Sequence, residues 1–453
     1  MALHFTLLAI VSLVLWGILR VARPPASEDK KFNNVHRVQK LKAIEARYEA
    51  VSALSRLVDE DGAGDWPPRV AHHDLPSCFQ HYQDIYLELV PHLSTATPSL
   101  DDDTNKQRMA KFRSSMRKLL AERISISDVE LALARVESGD HSSLTRAAYN
   151  GIYCSIAVCR HAYRWATIPV VKQAQLETII DFPPELDAPW PYLQRHFGLV
   201  ADSGNNTANV LLNFDENGER VYKINVGMSD LIRSSEEVFF RMFFDVEVLA
   251  FPIYYEMVSA IVAFEDRHKE ACLNHLENVT WRLRDLLLIF YKNLKESRIS
   301  HSAWLSYVQG FQGWGVGRMI GGEFIKYDGL SGNHVLFFQA VDAFLGLDRY
   351  LTDENMDRYI PVNQRNLCLA LKKHSIRHKL HGDDDLLLRD ELTKIVFRSA
   401  HKTRVRSYLE HPAPERLIMT AGKSVLENQD TKGFADAYKT LDELMATRLR
   451  LTV

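Results

Sequence analysis

EEVFFRMFFDVEVLAFPIYYEMVSAIVAF (Glu236–Phe264) carries apolar residues so densely, at spacings that close on a helical turn, that it reads as a long buried helix. The same periodicity returns in YNGIYCSIAVCRHAYRWA (Tyr149–Ala166), HLENVTWRLRDLLLIFYKNL (His275–Leu294), HVLFFQAVDAFLGL (His334–Leu347) and LRDELTKIVFRSAHKTRVRSYL (Leu388–Leu409). Together they predict an all-α fold whose large helix bundle covers residues 146–411. Upstream, LPSCFQHYQDIYLELVPHL (Leu75–Leu93) and KQRMAKFRSSMRKLLAERI (Lys106–Ile124), the latter capped by an acidic run, predict a small helical domain over 69–145. Residues 24–68 read as a hinge and a leading helix, broken by GAGDWPP (Gly62–Pro68), and 412–453 as a polar peripheral tail. One β excursion is expected, a hairpin over Asn209–Val226 turning at Asn217-Gly218.

The first residues add a membrane element. ALHFTLLAIVSLVLWGILRV (Ala2–Val21) has the length of a bilayer-spanning helix, and its basic residues, Arg20, Arg23, Lys30 and Lys31, follow the apolar run. An anchor over 1–23 is therefore expected. The positive-inside tendency then leaves the body cytosolic, as in a single-pass protein of the endoplasmic reticulum.

With 46% hydrophobic and 25% charged residues in 453, the composition is that of a globular chain, not a disordered one. A net charge of -3, with no basic block interleaved with aromatics, argues against nucleic acid as a partner. Five cysteines, Cys78, Cys154, Cys159, Cys272 and Cys368, show no Cys-x-x-Cys spacing, and most of them read as buried thiols in a reducing compartment. Asn205 and Asn278 head Asn-x-Thr triplets that read as chance matches to a glycosylation acceptor.

Three stretches, in order, resemble the indoleamine 2,3-dioxygenase family. ISHSAWLSYVQGFQGW (Ile299–Trp314) is similar to the helix that ends in a Gly-Trp pair and faces the substrate. YDGLSGNHVLFFQAVDAFLGL (Tyr327–Leu347) is similar to the Gly/Ser-rich loop against the haem, and RYIPVNQRNLCLAL (Arg358–Leu371) to the segment with the iron-binding histidine before an Arg-Asn pair. The resemblance spans about residues 70 to 405. It implies a small helical domain over a large all-α domain, haem b between them, and a dioxygen-dependent oxidoreductase acting on an indole or tryptophan-derived substrate in specialised metabolism, which the N-terminal segment would tether to a membrane.

The residues this chemistry needs are partly replaced. Haem iron that binds dioxygen takes a neutral imidazole on its other face. The matching position here is Gln364, followed by Arg365 and Asn366, and an amide is a poor iron ligand. Where the family pairs an arginine with the substrate carboxylate, this chain has Val308, with Trp304 one turn earlier beside Ala303, so the resemblance implies a pocket shaped for a larger or uncharged aromatic ligand. Ser331 matches the loop serine, Gly332 lies beside it, and Trp314 ends the Gly-Trp pair. His334 brings an imidazole into that loop, either as an iron ligand or distal acid/base, or packed beneath the loop as a helix cap.

Other constellations read as structural. His374, His378 and His381 sit among lysines and arginines that would repel a metal cation, and His72, His73 and Asp74 precede a helix that Asp74 can cap. The glycines of GWGVGRMIGG (Gly313–Gly322) lack the preceding strand and the Lys-Ser/Thr of a phosphate loop and read as an irregular connection. No Gly-x-Ser-x-Gly elbow is present. Three functions stay open: a haem oxygenase using His334, a divergent family member that has lost haem and serves as a ligand-binding, structural or non-haem catalytic protein, or a haem protein with other chemistry, such as a sensor or a monooxygenase, peroxygenase or cyclase.

Overall fold

The computed structural model describes residues 32–73, 75–94, 101–167, 174, 176–349, 351–380 and 385–395, with 419–420 and 423–424 as a short strand pair. The described residues form an all-α bundle. Its main helices are α1 (Phe32–Lys42), α2 (Glu49–Arg56), α3 (Ser77–Ser94), α4 (Asp102–Arg123), α5 (Ile126–Glu137), α6 (Arg146–Trp165) and α7 (Trp190–Phe197). They continue with α8 (Asp230–Glu265), α9 (Lys269–Asn293), α10 (Leu336–Phe344), α11 (Asp353–Tyr359), α12 (Val362–Lys373) and α13 (Leu386–Thr393).

α6 lies at the centre. Thr145 Oγ1 accepts from Ala148 N to start it, Ala166 at φ 55° ends it, and every residue from Ala148 to Trp165 is buried. A helix buried on all sides must satisfy its own polar groups inside the protein. Arg160 pairs with Asp187 (2.9 Å) and Asp202 (2.6 Å) between the rings of Phe182 and Trp190. Arg164 donates to the carbonyls of Trp314 and Ala174, both at 2.9 Å, and His161 Nε2 accepts from Gly204 N while Nδ1 meets Phe311 O at 2.9 Å.

α8 and α9 make an antiparallel pair across a three-residue link in which Arg267 takes φ 60°. Proline inside α8, at position 252, does not end it. By length and composition α8 is able to cross a membrane, and 67% of its apolar window is buried within the bundle. Its carboxylates are tied to other elements: Glu236 to Arg220 and to the amides of Ile224 and Asn225, Glu247 to Trp66 Nε1 and Phe337 N, Glu256 to His275. This corrects the expected membrane partner. Ala2–Val21 lies outside the described residues, and the membrane-length helix among the described residues is mid-chain rather than N-terminal.

The β expectation also moves. Asn209–Val226 is not a hairpin: Asn206–Asn209 and Leu211–Asn213 are helical turns, and Phe214 and Arg220 share a single bridge. The hairpin forms instead within the Gly-rich stretch read as irregular, pairing β1 (Gly317–Ile320) with β2 (Glu323–Lys326). Gly321 (φ 58°) and Gly322 (φ 89°) supply the two left-handed positions that a two-residue turn of right-handed twist demands.

Gly151 marks where α6 meets the segment before α3. A Cβ there would lie 2.0 Å from the carbonyl oxygen of Ala71, whose own amide donates to Ala147 O. Gly151→Ala is expected to lower the unfolding free energy by about 3 kcal/mol, the upper range for forcing a methyl into a packed interior, as read by denaturant melts. Gly139→Ala, with open space around its Cβ but φ 90°, should cost about 1 kcal/mol.

Candidate functional site

Two of the residues expected around a haem, Ser331 and Gln364, are tied to one stretch not singled out for that role, Ser203–Thr207. Ser203 Oγ donates to Asp328 O (3.0 Å), and Asn206 Nδ2 to Ser331 O. Asn205 caps the next helical turn by accepting from Ala208 N (2.8 Å) and donates through Nδ2 to Tyr359 O (3.0 Å). Thr207 Oγ1 accepts from Gln364 Nε2 at 2.8 Å. One buried polar strand thus clamps the 328–334 loop on one side and the start of α12 on the other. The signal in the sequence was a run of asparagines, Asn205, Asn206, Asn209 and Asn213, in apolar surroundings. Such amides persist in a core only where backbone groups need partners.

Each expected site residue has a structural neighbour. His334 is 2% exposed, lies flat on Tyr359 (5.1 Å between ring centres, 12°), and its Nδ1 accepts from Ser331 N. That bond leaves the ring proton on Nε2. Desolvation pulls its pKa down to about 4, so the ring is neutral. Gly332 faces Phe243, whose ring would be 3.1 Å from an added Cβ, and Phe243 contacts Phe239, which in turn contacts Trp304. Trp304 opens a π-helical turn, Trp304–Val308, whose last residue is fully buried. Trp314 is buried and stacked on Phe182. Arg365 Nη1 donates to the carbonyls of Gly198 (2.8 Å) and Ile360 (2.7 Å), a clamp on the backbone.

These residues do not fit a haem. Gln364 is committed to Thr207, His334 is stacked on Tyr359 with its Nδ1 occupied, and Gly332 meets an aromatic ring where a porphyrin would need space. Among the described residues no three His, Cys, Asp or Glu side chains gather as a metal site. The expectations of haem b, iron and metal binding are overturned on this donor set.

Of the other histidines, His72 is buried and bonded to Leu212 O, while His374 bridges Glu265 (2.6 Å) and Glu49 (3.0 Å) in place of a solvated face. His378 packs against Gly346; Asp74 and His381 lie outside the described residues. Cys154, Cys159, Cys272 and Cys368 are buried, and burial pushes the Cys272 and Cys368 thiols up to about 12, which makes them inert packing groups. A site the sequence reading missed is Asp61, at the end of a π-helical turn, Leu57–Asp61. Its Oδ1 accepts from Asn363 Nδ2 (2.8 Å), the same nitrogen that reaches Glu60 Oε2 (3.0 Å), and burial raises its pKa to about 7.

No family model matches this chain, and no curated protein is significantly similar to it.

Burial holds His72, His161, His196 and His334 neutral, each with a pKa near 4. Their unfolded value is about 6.5, so their contribution to stability is present above that pH and is lost as pH falls through about 4. Asp61 has the opposite sign: its contribution is complete below about 3.8 and is lost as pH rises through about 7. Unfolding free energy is expected to drop between pH 6.5 and 4, and His334→Asn should flatten that limb by about one proton, roughly 1.4 kcal/mol per pH unit. Chemical denaturation across this range measures it.

Proposed function

We propose that this chain is a divergent relative of the indoleamine 2,3-dioxygenases that has lost haem and keeps the bundle as a binding or structural protein. The observation that carries this reading is the bond from Gln364 Nε2 to Thr207 Oγ1, which turns the position of the family's iron ligand into a strut of the core. Val308, buried in an apolar setting, supports it, because a substrate carboxylate would find no cation there. The division into a small domain (69–145) and a large one (146–411) belongs to the same proposal.

The test is an absorption spectrum of the full chain expressed with a haem precursor and then titrated with haemin. The expected result is a colourless protein and spectra no different from those of haemin with an unrelated protein. A stoichiometric Soret band that is lost in His334→Ala would show the proposal to be wrong.

A further inference from the structure

Between α1, the Glu45–Arg47 turn, α2 and the outward face of α12 lies an open groove of about 820 Å³, within the range of small-molecule sites. Its floor includes Asn363, which is 7% exposed. Asn363 Nδ2 spends its two hydrogens on Glu60 Oε2 and Asp61 Oδ1. Turning the amide over would set its oxygen against Glu60 Oε2, which favours the orientation that leaves Oδ1 for the groove. Bonds from the amide nitrogen to carboxylates also enrich the oxygen as an acceptor. Asn366, three residues on, adds a second amide on the same helical face.

The charged lining sorts into used and unused groups. Lys42 pairs with Asp59 (2.8 Å), Arg47 with Asp266 (2.9 Å), and Glu49 with Lys373 (2.6 Å) and His374. Glu45 and Arg56 remain without an ion pair among the described residues, the guanidinium of Arg56 reaching Ser52 Oγ at 3.3 Å. An unused acceptor set, Asn363 Oδ1 and Glu45, therefore shares one groove with an unused cation.

We propose that this groove binds a small zwitterion of the amino-acid or dipeptide class, its ammonium on Asn363 Oδ1 and Glu45 and its carboxylate on Arg56. A plain anion would meet Glu45 and the Glu60–Asp61 pair behind the floor, and a plain cation would meet Arg56. Only a ligand with both charges satisfies both ends. The site stands apart from the haem-free reading, since a Soret band would overturn that reading and leave this one untouched.

Isothermal titration calorimetry on the full chain tests it, with alanyl-glutamine, its N-acetyl form and its C-terminal amide as probes. The free dipeptide is expected to bind saturably with Kd of about 0.1–1 mM. N-acetylation, C-terminal amidation and Arg56→Gln should each weaken binding at least about fivefold, as loss of a charge-assisted hydrogen bond does. Asn363→Leu strands Glu60 and Asp61 and can unfold the region, so Glu45→Gln, half-buried at the groove's edge, serves as the second variant with the same expected loss. No saturable heat up to about 10 mM, or a weakening of less than about fivefold by either blocked probe or either variant, overturns the proposal.

Discussion

The fold depends on the cost of enclosing cations in a helix that touches no water. α6 carries Arg160, His161 and Arg164 within little more than one buried turn, and an unpaired guanidinium there would cost several kcal/mol. The surrounding chain supplies the answer: carboxylates at Asp187, Asp202 and Glu177, and carbonyls at Ala174, Phe311 and Trp314. Arg318 from β1 joins the same acidic pair, so two cations and two anions are balanced in one cluster. The loops after α6 and the β1–β2 hairpin are held where they are by that demand.

A second layer of buried polarity positions the loop that carries Ser331 and His334. Ser203–Thr207 spends its side chains on backbone carbonyls and on Gln364, which makes the 328–334 loop and the start of α12 parts of one hydrogen-bonded unit. In such a unit Gln364 is a packing group whose amide is spent on Thr207.

How much of this was legible in the sequence differs by element. The long helices were, because 3.6-residue periodicity survives over α3, α4, α6, α8 and α9 and the core face of α8 follows from it, whereas the stretch Leu388–Leu409 lies outside the described residues after 395. The hairpin was misplaced because Asn217-Gly218 and Gly321-Gly322 are both turn signals, and only the second is flanked by a strand pair. The neighbourhood of Ser331, Gly332, His334 and Gln364 could be named from the resemblance. What fills it could not, since whether His334 faces a cavity or lies on Tyr359 depends on partners 25 or more residues away. The groove beside α12 left no trace in the sequence, because its lining comes from residues 42–56 and 363–370, distant in the chain and ordinary in composition.

Asn205 heads an Asn-x-Thr triplet, yet in the folded chain it is 1% exposed and both ends of its amide are bonded. An oligosaccharide transferred to that nitrogen during synthesis would replace the hydrogen bond to Tyr359 O with a bulky polar chain that has no route to solvent. The folded chain therefore has no room for a sugar at Asn205, and a triplet that satisfies the glycosylation pattern is, in three dimensions, a core cap.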